Sequence, residues 1–290
     1  MYDYLENILT KLHINNPKKV KYMLVSADNT YFGKHKLNNM IGGTHDDKFK
    51  VTLDFDYNKY TFVVYQVNED DRISFSVHNK NDDSKDSCVV IFYDKSGKFC
   101  YIESISAHSK CFVGTDYTKK GTVLLKFAIE FIKRHISKKH KVKYIQLKDN
   151  SVKYCKSIEQ SIDLDSFYML LYANTWYGKY GFVPFDNSLI STNELWLRDY
   201  KHNQKIVNKI LVKDIKIAEY INKAIKKLKL KISNVDTYVK KYNDKLLMIF
   251  LRKFLDNYDR SCSVFFHIYK QLMMDLGMID MHGRSYWMKL

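Results

Sequence analysis

Proline and paired cysteines are scarce in this chain of 290 residues. It contains two prolines and five cysteines, and the cysteines stand far apart, at positions 88, 100, 111, 155 and 262. An odd number of widely spaced cysteines without a CxxC pair predicts neither a disulfide framework nor a zinc site. This cysteine usage is typical of a reducing compartment, so we expect a cytoplasmic protein.

Long hydrophobic runs are also missing. The longest are residues 167–173 and 246–251, far shorter than the roughly 20 apolar residues that a membrane-spanning helix needs. No apolar stretch follows a basic start at the N-terminus, so we expect no signal peptide. The sequence therefore predicts no membrane partner.

Arginine is rare although the chain is strongly basic. Only six of the 48 basic residues are arginine, and the formal net charge is +16. Proteins that read bases rely on the planar fork of arginine, whereas lysine in excess with asparagine, isoleucine and tyrosine is typical of an AT-rich genome. The overall charge therefore does not by itself favour nucleic-acid binding.

One segment keeps nucleic-acid binding open as an alternative. Residues 201–260 carry 16 Lys or Arg against six Asp or Glu. Interleaved tyrosines can stack on bases while lysines contact phosphates. The residues that would do so are Tyr220, Lys223, Lys226, Lys227, Lys229, Lys231, Tyr238 and Tyr242.

Aromatic residues are abundant, with 23 Tyr and 17 Phe, and the segment from 49 to 105 has the composition of β-strands. Short apolar or alternating runs separated by polar turns predict antiparallel hairpins. One turn is Asp94-Lys-Ser-Gly97, where glycine can supply a positive φ. The predicted strands are residues 51–55, 60–65, 73–77, 88–93 and 99–105.

The pattern then changes to strand and helix in alternation. Apolar residues at helical spacing predict a helix over 123–132, followed by a strand over 142–147. Because one helix connects this strand to 99–105, the two strands should be parallel. The other predicted elements are a helix at 1–14, a strand at 21–25, a loop at 27–47, a polar insertion at 148–162, a helix at 163–176, a loop at 185–194, a strand at 206–212 and three helices after residue 214.

A phosphate site is predicted where the first of these helices begins. Lys119-Lys120-Gly121-Thr122 precedes the apolar pattern. A helix N-terminus favours a phosphate through its free N–H groups and its dipole, and glycine lets a ligand approach the backbone closely.

A second motif lies downstream, in Ala173-Asn-Thr-Trp-Tyr177-Gly-Lys-Tyr-Gly181-Phe182. The order of strand, glycine loop, helix, strand, helix, tyrosine and Gly-Phe resembles the GNAT family of N-acetyltransferases over about residues 86–184. The resemblance implies an α+β fold with a GNAT-like mixed, mostly antiparallel sheet flanked by helices. It also implies an acyltransferase domain at 1–214, with a basic, C-terminal helical extension at 215–290.

The resemblance further implies acetyl-CoA as co-substrate and a primary amine, of unknown identity, as acceptor. Tyr177 would protonate the departing thiolate, and Glu103 would accept the proton of the amine, with His108 as the other candidate base. The residues implied in binding acetyl-CoA are Lys119, Lys120, Gly121 and Thr122 for the pyrophosphate, and the backbone at Ile105 and Ser106 for the thioester carbonyl.

The loop departs from the family pattern, which has Arg or Gln, two residues, Gly, one residue, then Gly or Ala. If Gly121 is the second glycine, Lys119 replaces the first and Asp116 takes the leading position. If Gly121 is the first, Thr118 leads and Val123 replaces the second. Three functions therefore stand beside one another: an N-acetyltransferase, a catalytically inactive GNAT-like binding or structural protein, and a nucleic-acid-binding protein.

Overall fold

The computed structural model describes residues 22–23, 46–55, 58–79, 86–107, 109–112, 120–185, 190–257 and 261–290. The protein is of the α+β class, with a mostly antiparallel sheet flanked by helices, which confirms that part of the predicted fold. The chain forms two compact units. One contains His13–Leu147 and Trp287–Leu290, and the other contains Lys148–Tyr286.

The first unit is built on consecutive strands. From β1 to β6 each strand pairs antiparallel with the next, whereas β6 and β7 are parallel. The predicted antiparallel strands and the predicted parallel pair are therefore confirmed. The strands are β1 (Tyr22–Met23), β2 (Asp46–Phe55), β3 (Asn58–Asn68), β4 (Arg72–Asn79), β5 (Val89–Asp94), β6 (Phe99–Ile105) and β7 (Tyr144–Lys148).

Helix α1 (Lys120–Phe131) covers one face of these strands. The phenyl ring of Phe127 lies 4.6 Å from that of Phe62, and the ring of Phe131 lies 5.4 Å from that of Phe75. The chain continues through a π-helical turn (Ile132–Ile136) and the short helix α2 (Ser137–His140). An amphipathic helix joined to alternating strands buries one face of each element, and this makes the core of the unit.

The turn between β5 and β6 forms as predicted, but the Asp94 side chain closes it. The Asp94 carboxylate accepts hydrogen bonds from the Gly97 N–H and the Ser96 hydroxyl. The positive φ, 52°, belongs to Lys98 and not to glycine. The expectation for Gly97 is therefore wrong, because the aspartate side chain closes the turn one residue before the left-handed position.

The second unit is mainly helical. The predicted polar insertion is a β-hairpin. The predicted strand at 206–212 is wrong, because the helix that begins at Ile190 continues to Val207. Its elements are β8 (Val152–Cys155), β9 (Gln160–Asp163), α3 (Leu164–Tyr172), β10 (Val183–Pro184), α4 (Ile190–Val207), α5 (Ile217–Lys227), α6 (Val235–Lys240), α7 (Leu247–Asn257), α8 (Ser261–Asp275) and the start of β11 (Ser285–Lys289).

One apolar core serves the hairpin and the helices of this unit. It joins Leu170 and Leu171 of α3 to Ile221 of α5, Phe250 of α7 and Phe265 of α8. The predicted domain boundary at residue 214 stays a prediction, and the compact units part at Leu147. Among the helices of the described residues, none is both long and apolar enough to cross a bilayer. The predicted helix at 1–14 lies outside the described residues.

Four of the five cysteines form disulfides, so the expectation that the chain has no disulfide framework is wrong. Cys88 pairs with Cys111 in the first unit, and Cys155 pairs with Cys262 in the second. Cys100 is free and buried. The sequence pattern missed these pairs because their partners are 23 and 107 residues apart. Disulfides are typical of oxidising compartments, and the cytoplasmic location stays a prediction.

Alkylation of the denatured, unreduced protein tests these pairings. We expect one modified thiol, that of Cys100, against five after reduction. Five modified thiols without reductant would contradict the pairings.

Replacing Cys155 and Cys262 together by alanine should lower the free energy of unfolding by about 2–5 kcal/mol, because the unfolded chain is no longer constrained. Urea unfolding without reductant measures the loss.

Candidate functional site

The parallel strands β6 and β7 pair over only part of β6. Their register runs from Phe99 opposite Tyr144 to Ile102 opposite Leu147. Beyond Ile102, β6 continues for three residues, of which Ser104 and Ile105 pair with β5. Among the strands that the structure describes, none pairs with the edge of β6 toward β7 over residues 103–105. This open edge lies at the carboxyl end of the strand, where ligands bind in many sheets with parallel strands.

A β-bulge lies at the same place. Ile91 of β5 faces Ile102, and Val90 faces Ser104, so Glu103 is the extra residue. A bulge re-aims the side chains beside it, and here the Glu103 side chain is exposed. The carboxylate of this predicted base is therefore open to an approaching solute.

Ile105 and Ser106, the two residues predicted to polarise a carbonyl, direct their N–H groups to different edges of β6. The Ser106 N–H donates to the Cys88 carbonyl oxygen at 2.9 Å, so this donor is already used. Successive N–H groups of a strand point to opposite edges, and the Ile105 N–H therefore points to the open edge. Of the predicted pair, Ile105 remains as the donor.

Helix α1 begins inside the predicted phosphate loop. Lys120, Gly121 and Thr122 form its first turn, where N–H groups lack intrahelical acceptors. The Lys120 ammonium lies 5.8 Å from the centre of the Phe112 ring. Lys119, Asp116 and His108 lie outside the described residues. The first turn of α1 thus has the donors and charge that a phosphate needs.

Tyr177 follows α3 and does not lie within it. The helix ends at Tyr172, and Ala173 takes the left-handed conformation, with φ of 52°. The predicted helix to residue 176 is therefore too long. The Tyr177 side chain is only 7% exposed, and its ring packs against the rings of Trp176, Phe182 and Tyr286, with centroids 4.7, 6.0 and 6.2 Å away.

A polar network supports the segment that carries Tyr177. The Tyr200 hydroxyl donates to the Asn174 side-chain oxygen, and the Gly178 N–H donates to the Thr175 hydroxyl at 3.0 Å. Gln204 donates to the Ala173 carbonyl oxygen at 2.9 Å. Sequence reasoning missed these residues because their partners on α4 stand 26 or more positions away. The glycine directly after Tyr177 was the signal in the sequence that could have indicated close packing at this point.

The predicted site residues fall in two units. Glu103, Ile105, Ser106 and the first turn of α1 belong to the unit of His13–Leu147, and Tyr177 belongs to that of Lys148–Tyr286. The parallel pair and the open edge of β6 thus bring the predicted base, carbonyl donor and phosphate loop into one unit.

The basic segment uses its tyrosines for packing. The Tyr220 hydroxyl donates to Asp275, and the rings of Tyr238 and Tyr242 both lie against Phe250. All three of these tyrosines pack on the helical core, and nucleic-acid binding by this segment stays a prediction. A groove of about 530 Å³ between α5 and α8 is lined by Lys216, Glu219, Tyr220, Lys223, Ala224, Lys227, His267, Ile268, Gln271 and Asp275.

Comparison of the chain with protein-family models, curated proteins and solved structures finds no match. The resemblance to the GNAT family therefore rests on the residues and on the order of elements in this chain.

Gly178→Ala tests whether the polar network holds the Tyr177 segment. A Cβ at this position would stand 1.9 Å from the Asn174 side-chain oxygen and 2.9 Å from the Tyr200 hydroxyl. Relief of that overlap separates hydrogen-bonded partners, so we expect a loss of about 1–3 kcal/mol in the free energy of unfolding. Urea unfolding gives the value, and Lys156→Ala, in an exposed turn, is the control. A variant as stable as the parent would contradict the packing described here.

Proposed function

We propose that the protein is an N-acetyltransferase that moves an acetyl group from acetyl-CoA to a primary amine by direct attack. The observation that carries this function is the open edge of β6 beyond Ile102, which is connected through the chain to the first turn of α1. A parallel strand pair whose pairing stops before the crossover helix begins suits a thioester with a pyrophosphate tail. The order of elements that resembles the GNAT family supports the same function.

The residues of α1 suit the anionic end of acetyl-CoA. Its first turn supplies N–H groups and the positive end of the helix dipole, and Lys120 adds a charge. Gly121 leaves the backbone accessible. A diphosphate carries its charge on several oxygens, so it can use all of these donors together.

The bulged strand suits the reacting end. The Ile105 N–H can donate to the thioester oxygen, on which negative charge develops as the amine attacks. The exposed Glu103 carboxylate can accept the proton that the amine nitrogen releases. The nitrogen–carbon bond forms, the carbon–sulfur bond breaks, and the thiolate takes a proton, for which the resemblance designates the Tyr177 phenol.

One observation favours a second candidate, a GNAT-like protein that binds CoA or a partner without catalysis. Tyr177 is buried among three aromatic rings, as a packing residue would be. The loop has kept one glycine of two, and an acid at position 116 is unfavourable for a pyrophosphate. Fold alone does not guarantee activity.

Thermal unfolding in the presence of CoA and acetyl-CoA tests the phosphate site. A ligand that binds the native state stabilises it, by about 2.7 kcal/mol at 100 times its dissociation constant. We expect both compounds to raise Tm, and Gly121→Asp to abolish the rise. An aspartate there favours the helix dipole but repels phosphates, so this variant should fold.

Lys133→Ala is the control for that experiment, because it changes the net charge equally in the exposed turn after α1. Its response to CoA should match that of the parent. A parent protein whose Tm does not respond to millimolar CoA or acetyl-CoA would exclude the acetyltransferase and favour a GNAT-like protein that binds a partner.

Tyr177→Phe separates the two candidates. Phenylalanine keeps the ring contacts and loses the acid, so turnover should fall by about 10²–10⁴-fold while the affinity for CoA stays the same. Transfer to a polyamine, an aminosugar and a lysine peptide is followed by mass spectrometry, with Tyr172→Phe, on an exposed ring of α3, as the control. Unchanged turnover would show that Tyr177 only packs, and a CoA-binding parent without transfer would favour the second candidate.

A further inference from the structure

The second unit contains two buried carboxyl groups that form no ion pair with a cation of the described ranges. Asp149 and Asp165 are each 1% exposed. Asp149 directly follows β7 and its backbone is joined to the segment before β11, through hydrogen bonds with Gly283 and Arg284. Asp165 lies in the first turn of α3. Burial of two ionised carboxylates close together is strongly unfavourable.

Each of the two carboxyl groups has one satisfied oxygen and one orphaned oxygen. The Asp149 Oδ1 accepts hydrogen bonds from the N–H and the hydroxyl of Ser151, and the Asp165 Oδ1 accepts the Ser166 N–H at 2.5 Å. Within the described ranges, the buried side-chain atoms left without a hydrogen-bond partner are the Asp149 Oδ2, the Asp165 Oδ2 and the Tyr286 hydroxyl. Buried orphans are rare in folded proteins, and each needs an explanation.

The three groups act on one another. Burial raises the pKa of Asp165 to about 7, and Asp149 adds to the shift. Burial also raises the pKa of Tyr286 well above its usual value, and Asp149 and Asp165 raise it further. Thr175 opposes that shift, but the hydroxyls of Thr175 and Tyr286 do not meet in hydrogen-bond geometry.

The surroundings supply little positive charge. Arg284 donates twice to Asp199, at 3.1 Å, and His282 lies beside Asp163, with 3.4 Å between the Nδ1 and a carboxylate oxygen. The charged and titratable groups that act on the pair are Asp163 at the end of β9, Asp280 and His282 before β11, Tyr286 in β11 and Tyr269 on α8. The neighbouring elements also carry Arg284, which pairs with Asp199, and Tyr200 on α4.

We propose that Asp149 and Asp165 form a buried proton-binding site, in which the two carboxyl groups hold one proton between them in the folded protein. A proton on the Asp165 carboxyl group removes its charge and turns an orphaned acceptor into a donor. One proton therefore halves the buried charge of the pair. The Tyr286 hydroxyl feels the charge of both carboxyl groups but forms no hydrogen bond with either.

Asp165 carries the proton because Ser151 stabilises the ionised form of its partner. Two hydrogen bonds from Ser151 lower the pKa of Asp149 and partly offset its burial, whereas Asp165 accepts only the Ser166 N–H. A proton also fits better than a metal ion, since among the residues that the structure describes no three His, Cys, Asp or Glu side chains are grouped as metal ligands.

The site connects three parts of the second unit. Asp149 is joined to the segment that leads to β11, Asp165 begins α3, and Tyr286 lies in β11 with its ring 6.2 Å from that of Tyr177. Loss of the proton would leave two negative charges in this junction. The folded unit should therefore become less stable as the pH rises, whatever reaction the protein catalyses.

The pH dependence of unfolding tests the site. The pKa of Asp165 is raised in the folded state, so its contribution is largest below the ordinary pKa of an aspartate and is lost as the pH rises through about 7. Between pH 5 and 7 the unfolding equilibrium constant of the parent should rise about tenfold per pH unit relative to Asp165→Asn. The asparagine keeps a donor without needing a proton. Urea unfolding from pH 5 to 9 gives these constants.

Asp244→Asn is the control, since its exposed carboxylate pairs with Lys213 and should titrate below this range. Its pH profile should run parallel to that of the parent. A parallel profile for Asp165→Asn would overturn the proposal. So would a Tm that rises with millimolar magnesium or calcium at pH 8 in the parent but not in Asp165→Asn, because an ion would then neutralise the pair.

Carboxyl ¹³C NMR of the parent, labelled at aspartate, keeps the test open if Asp165→Asn fails to fold. We expect one buried aspartate that titrates with a midpoint near 7. A spectrum in which every aspartate of the folded protein has lost its proton by pH 6 would contradict the shared proton.

Discussion

The parallel pairing of β6 and β7 is the constraint on which the first unit depends. Two parallel strands cannot be joined by a tight turn, so the chain must cross over, and α1 is that crossover. The helix covers the apolar face of the antiparallel strands while its N-terminus follows the carboxyl end of β6. The same pairing stops at Ile102 and Leu147, which leaves the Ile105 N–H directed to an open edge.

The second unit depends on burial of polar groups as much as on its apolar core. Helices α3, α5, α7 and α8 share one hydrophobic cluster, and a disulfide joins β8 to α8. Beside this cluster, Asn174, Thr175 and Tyr200 organise the Tyr177 segment through hydrogen bonds. Of the two buried acids, Asp165 lies at the start of α3 and Asp149 directly after β7. A buried polar group restricts the positions of its neighbours, because each polar atom left without a hydrogen-bond partner lowers the stability of the fold.

Short-range patterns predicted much of the first unit. Alternating residues gave the hairpins, and one helix between two strands required a parallel pair. Patterns failed where partners lie far apart in sequence. Residues 206–207 and 210–212 are apolar enough for a strand, but α4 takes the first two and Leu211 bridges only to Leu246. The disulfides escaped notice for the same reason, since spacing alone carries no pairing information at such separations.

By itself, the sequence determined the order of the elements from β2 to β7 in the first unit, the helix start at Lys120-Gly121-Thr122 and the place of Tyr177 shortly after the apolar segment of α3. These follow from local periodicity and turn chemistry, which act between near neighbours. Only the tertiary structure decided that Glu103 is exposed on a bulge, that Tyr177 is enclosed by aromatic rings, and that two aspartates are buried together. Burial and charge depend on which distant segments meet, and no local pattern encodes that.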